Sequence, residues 1–319
     1  MKEQRHTCRS KRVFFPEYPD MGKLLEGMEP LWHGYTIYDE RNKLVEYSFS
    51  NILSDKVLVK YFKKTGFVRG LFYVLLGSSK AKRSFLNTLH LNRLGIYAPT
   101  PYGYIEEYKC GTLYRSLYAC EMLSGYDTVR ALTAGEVKGD EKLFSALVAF
   151  VSSLHKKGVY NRDLSPGNIL YRVEESGEIC FALVDVNRMA FRPLSPKERW
   201  ENLGKLCYPI DMSRRLASAY AKEMGEDESE VACYLLQAGD RFFAGKCFKA
   251  IFREEKRRGN FCSGLFRVLA ILFSRKIRDF RRGGIWEKLF SIEKKLMKPY
   301  YYEMDYRNNL KQEYIQHET

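Results

Sequence analysis

No Asp or Glu occurs between residues 56 and 105, although nine Lys or Arg do. The chain also lacks a C-x-x-C pair: eight cysteines stand singly at 8, 110, 120, 180, 207, 233, 247 and 262. A disulfide framework or a zinc site needs closer, patterned spacing, so the plain expectation is reduced thiols in a cytosolic protein. Long apolar runs are missing too. The leading MKEQRHTCRSKRVFF carries charge where a signal peptide needs an apolar core. The longest uninterrupted apolar run near the basic C-terminal region, 268–273, is far too short to cross a bilayer. There is no internal repeat and no low-complexity linker. The expectation is a soluble chain, attached to a membrane at most peripherally.

What is present describes a folded protein. The 319 residues are 45% hydrophobic and 14% aromatic, enough for one large core or two ordinary lobes. Lys and Arg number 53 against 39 Asp and Glu, a formal charge of +14. That balance favours acidic partners: nucleic acid, an anionic membrane surface or a phosphorylated substrate. It is concentrated at 241–298, where 17 basic residues meet 5 acidic ones. Within that stretch Leu265, Phe266, Val268, Leu269, Leu272 and Phe273 give an apolar face beside Arg267, Arg275, Lys276, Arg278, Arg281 and Arg282. The simplest reading is a buried helix with a charged end; the functional one is an arginine surface facing anionic lipid or phosphorylated sugars. Nucleic acid ranks last, because no reader motif accompanies the charge.

Residues 35–38 and 44–49 are aromatic and β-branched segments around a polar 39–43 stretch, a hairpin signal, and 57–62 is a further strand. Ser78 or Ser79 is placed to cap a helix running to Leu94 and stopped by Gly95. Two more strands are expected at 102–105 and 113–122. From 141 the period changes: Leu143, Phe144, Leu147, Val148, Val151 and Leu154 recur at helical spacing before Lys156-Lys157-Gly158. Beyond 197 most segments read as helical. Residues 1–122 are therefore expected as a strand-rich N-terminal lobe and 123–319 as a helix-rich C-terminal lobe, joined near 123–125.

The strongest chemical signal is Leu154-His155, then Gly158, then Tyr160-Asn161-Arg162-Asp163-Leu164-Ser165-Pro166-Gly167-Asn168-Ile169-Leu170. It resembles the kinase catalytic loop, in which an Asp is followed five positions later by an Asn. Asp163 is the candidate base for a substrate hydroxyl, and Asn168 a candidate magnesium ligand. An apolar strand at 181–184 then ends in Asp185-Val186-Asn187, where a kinase carries its metal-binding Asp. Phosphoryl transfer needs such hard oxygen ligands, because the crowded phosphate oxygens must be neutralised by metal. Lys60, within the 57–62 strand, is the candidate contact to the α- and β-phosphates.

The ordered set VLVKYFKK, SSKAKRS, the 95–106 stretch with its Pro99-Thr100-Pro101, RDLSPGNIL and VDVNRM resembles the lipopolysaccharide kinase (Kdo/WaaP) family over about residues 55–190. The resemblance implies an α+β, two-lobed protein-kinase-like fold, with a small antiparallel-sheet N-lobe and a mainly helical C-lobe. It implies ATP and Mg2+ as cofactors, with Lys60 on the ATP phosphates, Asp163 as base, and Asn168 and Asp185 on magnesium. It also implies a cytoplasmic enzyme at the inner membrane face, acting on a lipid-linked sugar of the lipopolysaccharide inner core, Kdo or heptose.

The sequence departs from a protein kinase in several places. No G-x-G-x-x-G loop precedes Lys60, where the only glycines are Gly22, Gly27 and Gly34, so the hairpin near Arg41-Asn42-Lys43 must cover a nucleotide with backbone amides. Asn161 replaces the usual His, and no A-P-E segment follows Asp185. Arg162 is expected to pack against the loop backbone. The helix after Lys60 has no Glu to pair with that lysine, which leaves Asn87, Asp185 or an acid of another strand such as Glu46 to orient it; if the helix approaches Lys60, an acid restored at Leu86 or Asn87 is expected to leave activity equal or better. Rival readings are a small-molecule kinase of the aminoglycoside or choline type, a protein kinase, and a kinase-like binding protein without turnover.

Overall fold

A computed structural model describes residues 9–14, 34–39, 42–48, 56–75, 77–136, 140–207, 210–239, 242, 257 and 259. The apolar and arginine-rich segment expected at 265–282 lies outside the described residues, as do Gly22, Gly27 and Arg41. The contacts divide the chain into two units. The first is Met1–Asp127 with Asn161–Asp163 and Asn168–Ala190; the second is Thr128–Tyr160 with Leu164–Gly167 and Phe191–Thr319.

The first unit holds an antiparallel sheet of β1 (Arg9–Phe14), β2 (Tyr35–Asp39), β3 (Asn42–Ser48), β4 (Lys56–Phe62), β5 (Pro101–Lys109) and β6 (Thr112–Glu121), in the order β1-β5-β6-β4-β3-β2. Five of these, β2 to β6, fall on the expected strands. β1 and the helix α1 (Phe67–Leu75) do not follow from periodicity. The tight turn between β5 and β6 puts both Cys110 and Gly111 at positive φ, 50° and 71°, the twist that a two-residue hairpin loop prefers.

Side chains alternate across β4. Val57 and Val59 pack on one face with Val45, Tyr47, Ile105, Leu117 and Ala119. Leu58 and Phe62 lie on the other with Phe85, Tyr104, Tyr118 and Cys120, under helix α2 (Lys80–Arg93). Lys60 shares their parity, so the strand pleat aims it to the helix side. α2 starts where expected: the Ser79 hydroxyl accepts the Lys82 amide hydrogen at 3.0 Å, a normal N-cap.

Short strands β7 (Asp127–Thr128), β8 (Val159–Asn161) and β11 (Met189–Phe191) stand where the chain passes between units, and β9 (Ile169–Val173) pairs with β10 (Ile179–Leu183) in the first unit. The second unit is helical: α3 (Arg130–Thr133), α4 (Glu141–Lys156), α5 (Pro196–Leu203), α6 (Ile210–Met224) and a helical stretch at 228–239. α4 is the helix read from the apolar period. Its six marker residues, Leu143 to Leu154, are all buried. Gly158 ends it at φ 71°, and a Cβ there would meet the Arg192 carbonyl oxygen at 2.8 Å, so only glycine fits.

Candidate active site

The four residues singled out from sequence, Lys60, Asp163, Asn168 and Asp185, all fall in the first unit and are tied together there. Lys60 is brought by the β4 pleat, Asp185 by the end of β10. Between them the Lys60 ammonium donates to Asp185 Oδ1 at 2.6 Å. The two other candidates for orienting this lysine are engaged elsewhere. Asn87 Nδ2 donates to the Val186 carbonyl at 2.7 Å, and Glu46 pairs with Lys56 at 2.5 Å.

Asp185 is a non-glycine residue in the left-handed region, φ 54° and ψ 46°. That conformation costs of the order of 1 kcal/mol and persists where surrounding contacts enforce it. Here the contacts come from α2. Arg83 Nε donates to the Asn187 carbonyl at 3.0 Å, and Asn87, one turn along, holds Val186. The helix that carries a lysine-pairing Glu in most kinases instead grips the 3-10 turn Val186–Arg188 that follows the aspartate. Within the turn Asn187 Nδ2 donates to Asp185 Oδ1 at 2.6 Å. Burial on its own would raise the Asp185 carboxyl; the Lys60 ammonium, its hydrogen bond and the Asn187 amide outweigh it and hold the carboxyl below the usual carboxylate range.

Asn168 and Asp163 are joined by the backbone. Asn168 Nδ2 donates to the Asp163 carbonyl at 2.9 Å, and the Val184 amide donates to the Asn168 carbonyl at 3.0 Å. The residue before Asp185 is thus fastened to the catalytic-loop asparagine. Asn161, in the place of the protein-kinase His, is buried and its Oδ1 accepts the Asp163 amide hydrogen at 2.9 Å. It shapes the loop as a local side chain–backbone turn. The Arg162 amide donates to the Arg188 carbonyl at 2.9 Å.

Arg188 escaped the reading of the sequence. Its Nη1 donates to both carboxylate oxygens of Asp163, at 2.9 and 3.2 Å. One three-residue turn therefore links Asp185 at its start to Asp163 at its end. The V-D-V-N-R order held the signal, because a cation three residues beyond the strand-end Asp stands one short turn away.

The donor set fits a hard cation. The Asn168 amide nitrogen is committed to backbone, so its oxygen is the atom left to ligate. Asp185 Oδ1 takes both described donors, and Oδ2 takes none among the described residues. Magnesium uses one or two protein oxygens with water and phosphate, so a carboxylate and an amide oxygen suffice. No group of three or more His, Cys, Asp or Glu side chains among the described residues offers a rival site.

The family model for the lipopolysaccharide kinase (Kdo/WaaP) family matches residues 36–219. No curated protein matches the sequence. Among solved structures, WaaP in complex with acyl carrier protein superposes with a TM-score of 0.52 at 16% identity, over 72% of this chain and 98% of that one. The Rio2 kinase of Chaetomium thermophilum, in an ADP/Mg2+-phosphoaspartate complex, gives 0.39 at 11% identity, over 74% and 70%. The WaaP likeness establishes a kinase-like fold, as the antiparallel sheet and the catalytic-loop motif lead one to expect. With more than half its length matched by the family model, the chain belongs to the lipopolysaccharide kinase (Kdo/WaaP) family, and it is a phosphotransferase by that membership.

Proposed function

We propose that the chain transfers the γ-phosphoryl group of ATP to a sugar hydroxyl, Kdo or heptose, of a lipopolysaccharide inner-core precursor. The observation that carries this is the continuous linkage of Lys60, Asp185, Asn168 and Asp163 within one unit. Asp163 accepts the proton of the acceptor hydroxyl as that oxygen bonds to the γ-phosphorus. The bond from phosphorus to the β,γ-bridging oxygen breaks, and ADP leaves with its electron pair. Lys60 is held by Asp185 until ATP arrives, then contacts the α- and β-phosphates.

Asn168 and Asp185 are the residues that would hold magnesium, which would supply positive charge to the phosphate oxygens. Arg188 has a share in the proton transfer. It donates to both oxygens of Asp163, each of which keeps a lone pair for the acceptor hydroxyl, so the guanidinium stays beside the charge that develops there.

No helix among the described residues is long and apolar enough to cross a membrane. The enzyme works on the cytoplasmic side, peripherally at the inner membrane where lipid-linked sugars are assembled. The test is transfer of radiolabel from γ-labelled ATP to extracted rough lipopolysaccharide, run beside soluble sugars, aminoglycosides, choline and protein. Label confined to the glycolipid supports the proposal. Label on a soluble acceptor or on protein, or nucleotide binding without transfer, contradicts it.

A further inference from the structure

Helix α1 places its apolar side outward. Six of its nine residues, Phe67, Val68, Leu71, Phe72, Val74 and Leu75, are exposed large hydrophobics, with Phe67 at 65% and Phe72 at 59%. At ~100° per residue these six fill one continuous arc of about 160°, and Arg69, Gly70 and Tyr73 fill the remainder.

The helix is seated on the sheet through the narrow side. Gly70 is its one buried residue, so close to β6 that a Cβ would lie 2.5 Å from the Leu113 carbonyl oxygen. The Thr65 amide, just before the helix, donates to the Tyr114 carbonyl at 2.9 Å. Tyr73 lies under the Arg83 guanidinium, 5.8 Å from ring centroid to the charge. A surface helix of a soluble protein normally turns its apolar stripe to the core. Here glycine allows close approach of the opposite side, and the stripe is left to the surroundings.

We infer that α1, together with Lys63, Lys64 and Arg69, is a docking surface for an anionic lipid bilayer. Two observations favour lipid over a protein partner. The arc is built from Phe, Val and Leu alone, with no polar side chain to fix the register of a folded partner. The charge around it has a single sign: Lys63, Lys64 and Arg69 are exposed, and the whole of residues 56–105 contains no acid. An apolar face rimmed by basic residues is the form of an interfacial helix, whose binding adds apolar burial to attraction by anionic headgroups. The purpose of such docking rests on the proposed lipid-linked acceptor. α1 follows β4 directly, so the strand bearing Lys60 would be carried to the surface where that acceptor lies.

The test is co-sedimentation of the full chain with vesicles of phosphatidylcholine alone and of phosphatidylcholine mixed with phosphatidylglycerol. Wild type is expected on the phosphatidylglycerol vesicles, and Phe67→Glu/Phe72→Glu is expected to lower its partition about tenfold. Lys63→Glu/Lys64→Glu should lower it as well, and lessen its dependence on salt. Both phenyl rings are exposed in the folded chain, so the thermal unfolding midpoint should stay at the wild-type value and separate lost docking from lost folding. Equal partition of wild type and the phenylalanine double variant overturns the inference, as does equal partition into the two kinds of vesicle. So does a wild-type dimer that the same variant dissolves, which would make a second copy the occupant. Nothing in the measurement needs turnover, so a failure of the phosphotransfer reading would leave its outcome legible.

Discussion

The Lys60 ammonium lies 2.6 Å from Asp185 Oδ1, an ion pair between a strand of the N-terminal sheet and a residue two positions beyond the end of β10. In this chain Asp185 pairs with the lysine, as a helix glutamate does in most kinases. The lysine side chain is 16% exposed and the aspartate 37%, so water screens the pair in part and its share of stability is modest. Its value is positional. Lys60→Ala should lower kcat/KM by on the order of 10²-fold or more and weaken ATP binding, with little change in the unfolding midpoint. Isothermal titration with ATP and steady-state kinetics check this; a fully active variant would show that Lys60 is not the phosphate contact.

Arg188 on Asp163 gives a second expectation. The arginine side chain is 56% exposed, so the pair contributes at most about 1 kcal/mol to folding. Arg188→Gln should therefore keep its unfolding midpoint and its KM for ATP, and lose on the order of tenfold in kcat. An unchanged kcat would remove Arg188 from the account.

The grip of α2 on the Val186–Arg188 turn reverses an expectation drawn from the sequence. A carboxylate at position 87 appears there as a restored partner for Lys60. Asn87 in fact donates to the Val186 carbonyl, so Asn87→Glu sets a negative oxygen against a carbonyl oxygen and removes a donor. The cost should be about 1–3 kcal/mol of stability, with activity falling as the Asp185 turn loosens. Leu86 is 48% exposed, and Leu86→Glu should be close to neutral. Thermal melts of the two variants, measured together, decide the matter. A stabilised or more active Asn87→Glu enzyme would mean that α2 does reach the lysine.

His155 offers a test in the second unit. Its ring is buried, with Nδ1 2.9 Å from the Tyr220 hydroxyl and Nε2 3.3 Å from Asn202 Oδ1. Burial pushes its pKa down to about 4, against a smaller upward pull from Asn202. A depressed histidine is neutral in the folded state and charges first in the unfolded one. Its stabilisation is complete above the ordinary value near 6.5 and is lost as pH falls from there towards 4. The loss amounts to about 3 kcal/mol. Urea unfolding between pH 7 and 4.5 should show that decline in wild type and a shallower one in His155→Gln. Parallel curves would contradict it.

Much of this was legible in the sequence because its signals are local. The apolar Val57–Phe62 strand framed Lys60, the α4 period ran into the catalytic-loop motif, and the apolar 181–184 segment set Asp185 just past a strand end. What stayed hidden is what joins distant residues. Arg83 meets Asn187 across 104 positions, Asn87 meets Val186 across 99, and Arg188 meets Asp163 across 25. Neither propensity nor spacing carries such pairings. α1 was missed for another reason. Its nine residues are fewer than the window over which a helical period is read, and a helix exposing its apolar face defies the rule that such a face packs on the core.

In the proposed reaction Asp163 takes the proton of a sugar hydroxyl, and Lys60, Asn168 and Asp185 would hold the nucleotide and its metal. The most direct measurement is single-turnover transfer from γ-labelled ATP to rough lipopolysaccharide by wild type and Asp163→Ala, with magnesium-ATP affinity measured on the same samples. The rate should be lower by roughly 10²–10⁴ in the variant, with affinity retained. Transfer by Asp163→Ala at the wild-type rate would contradict it.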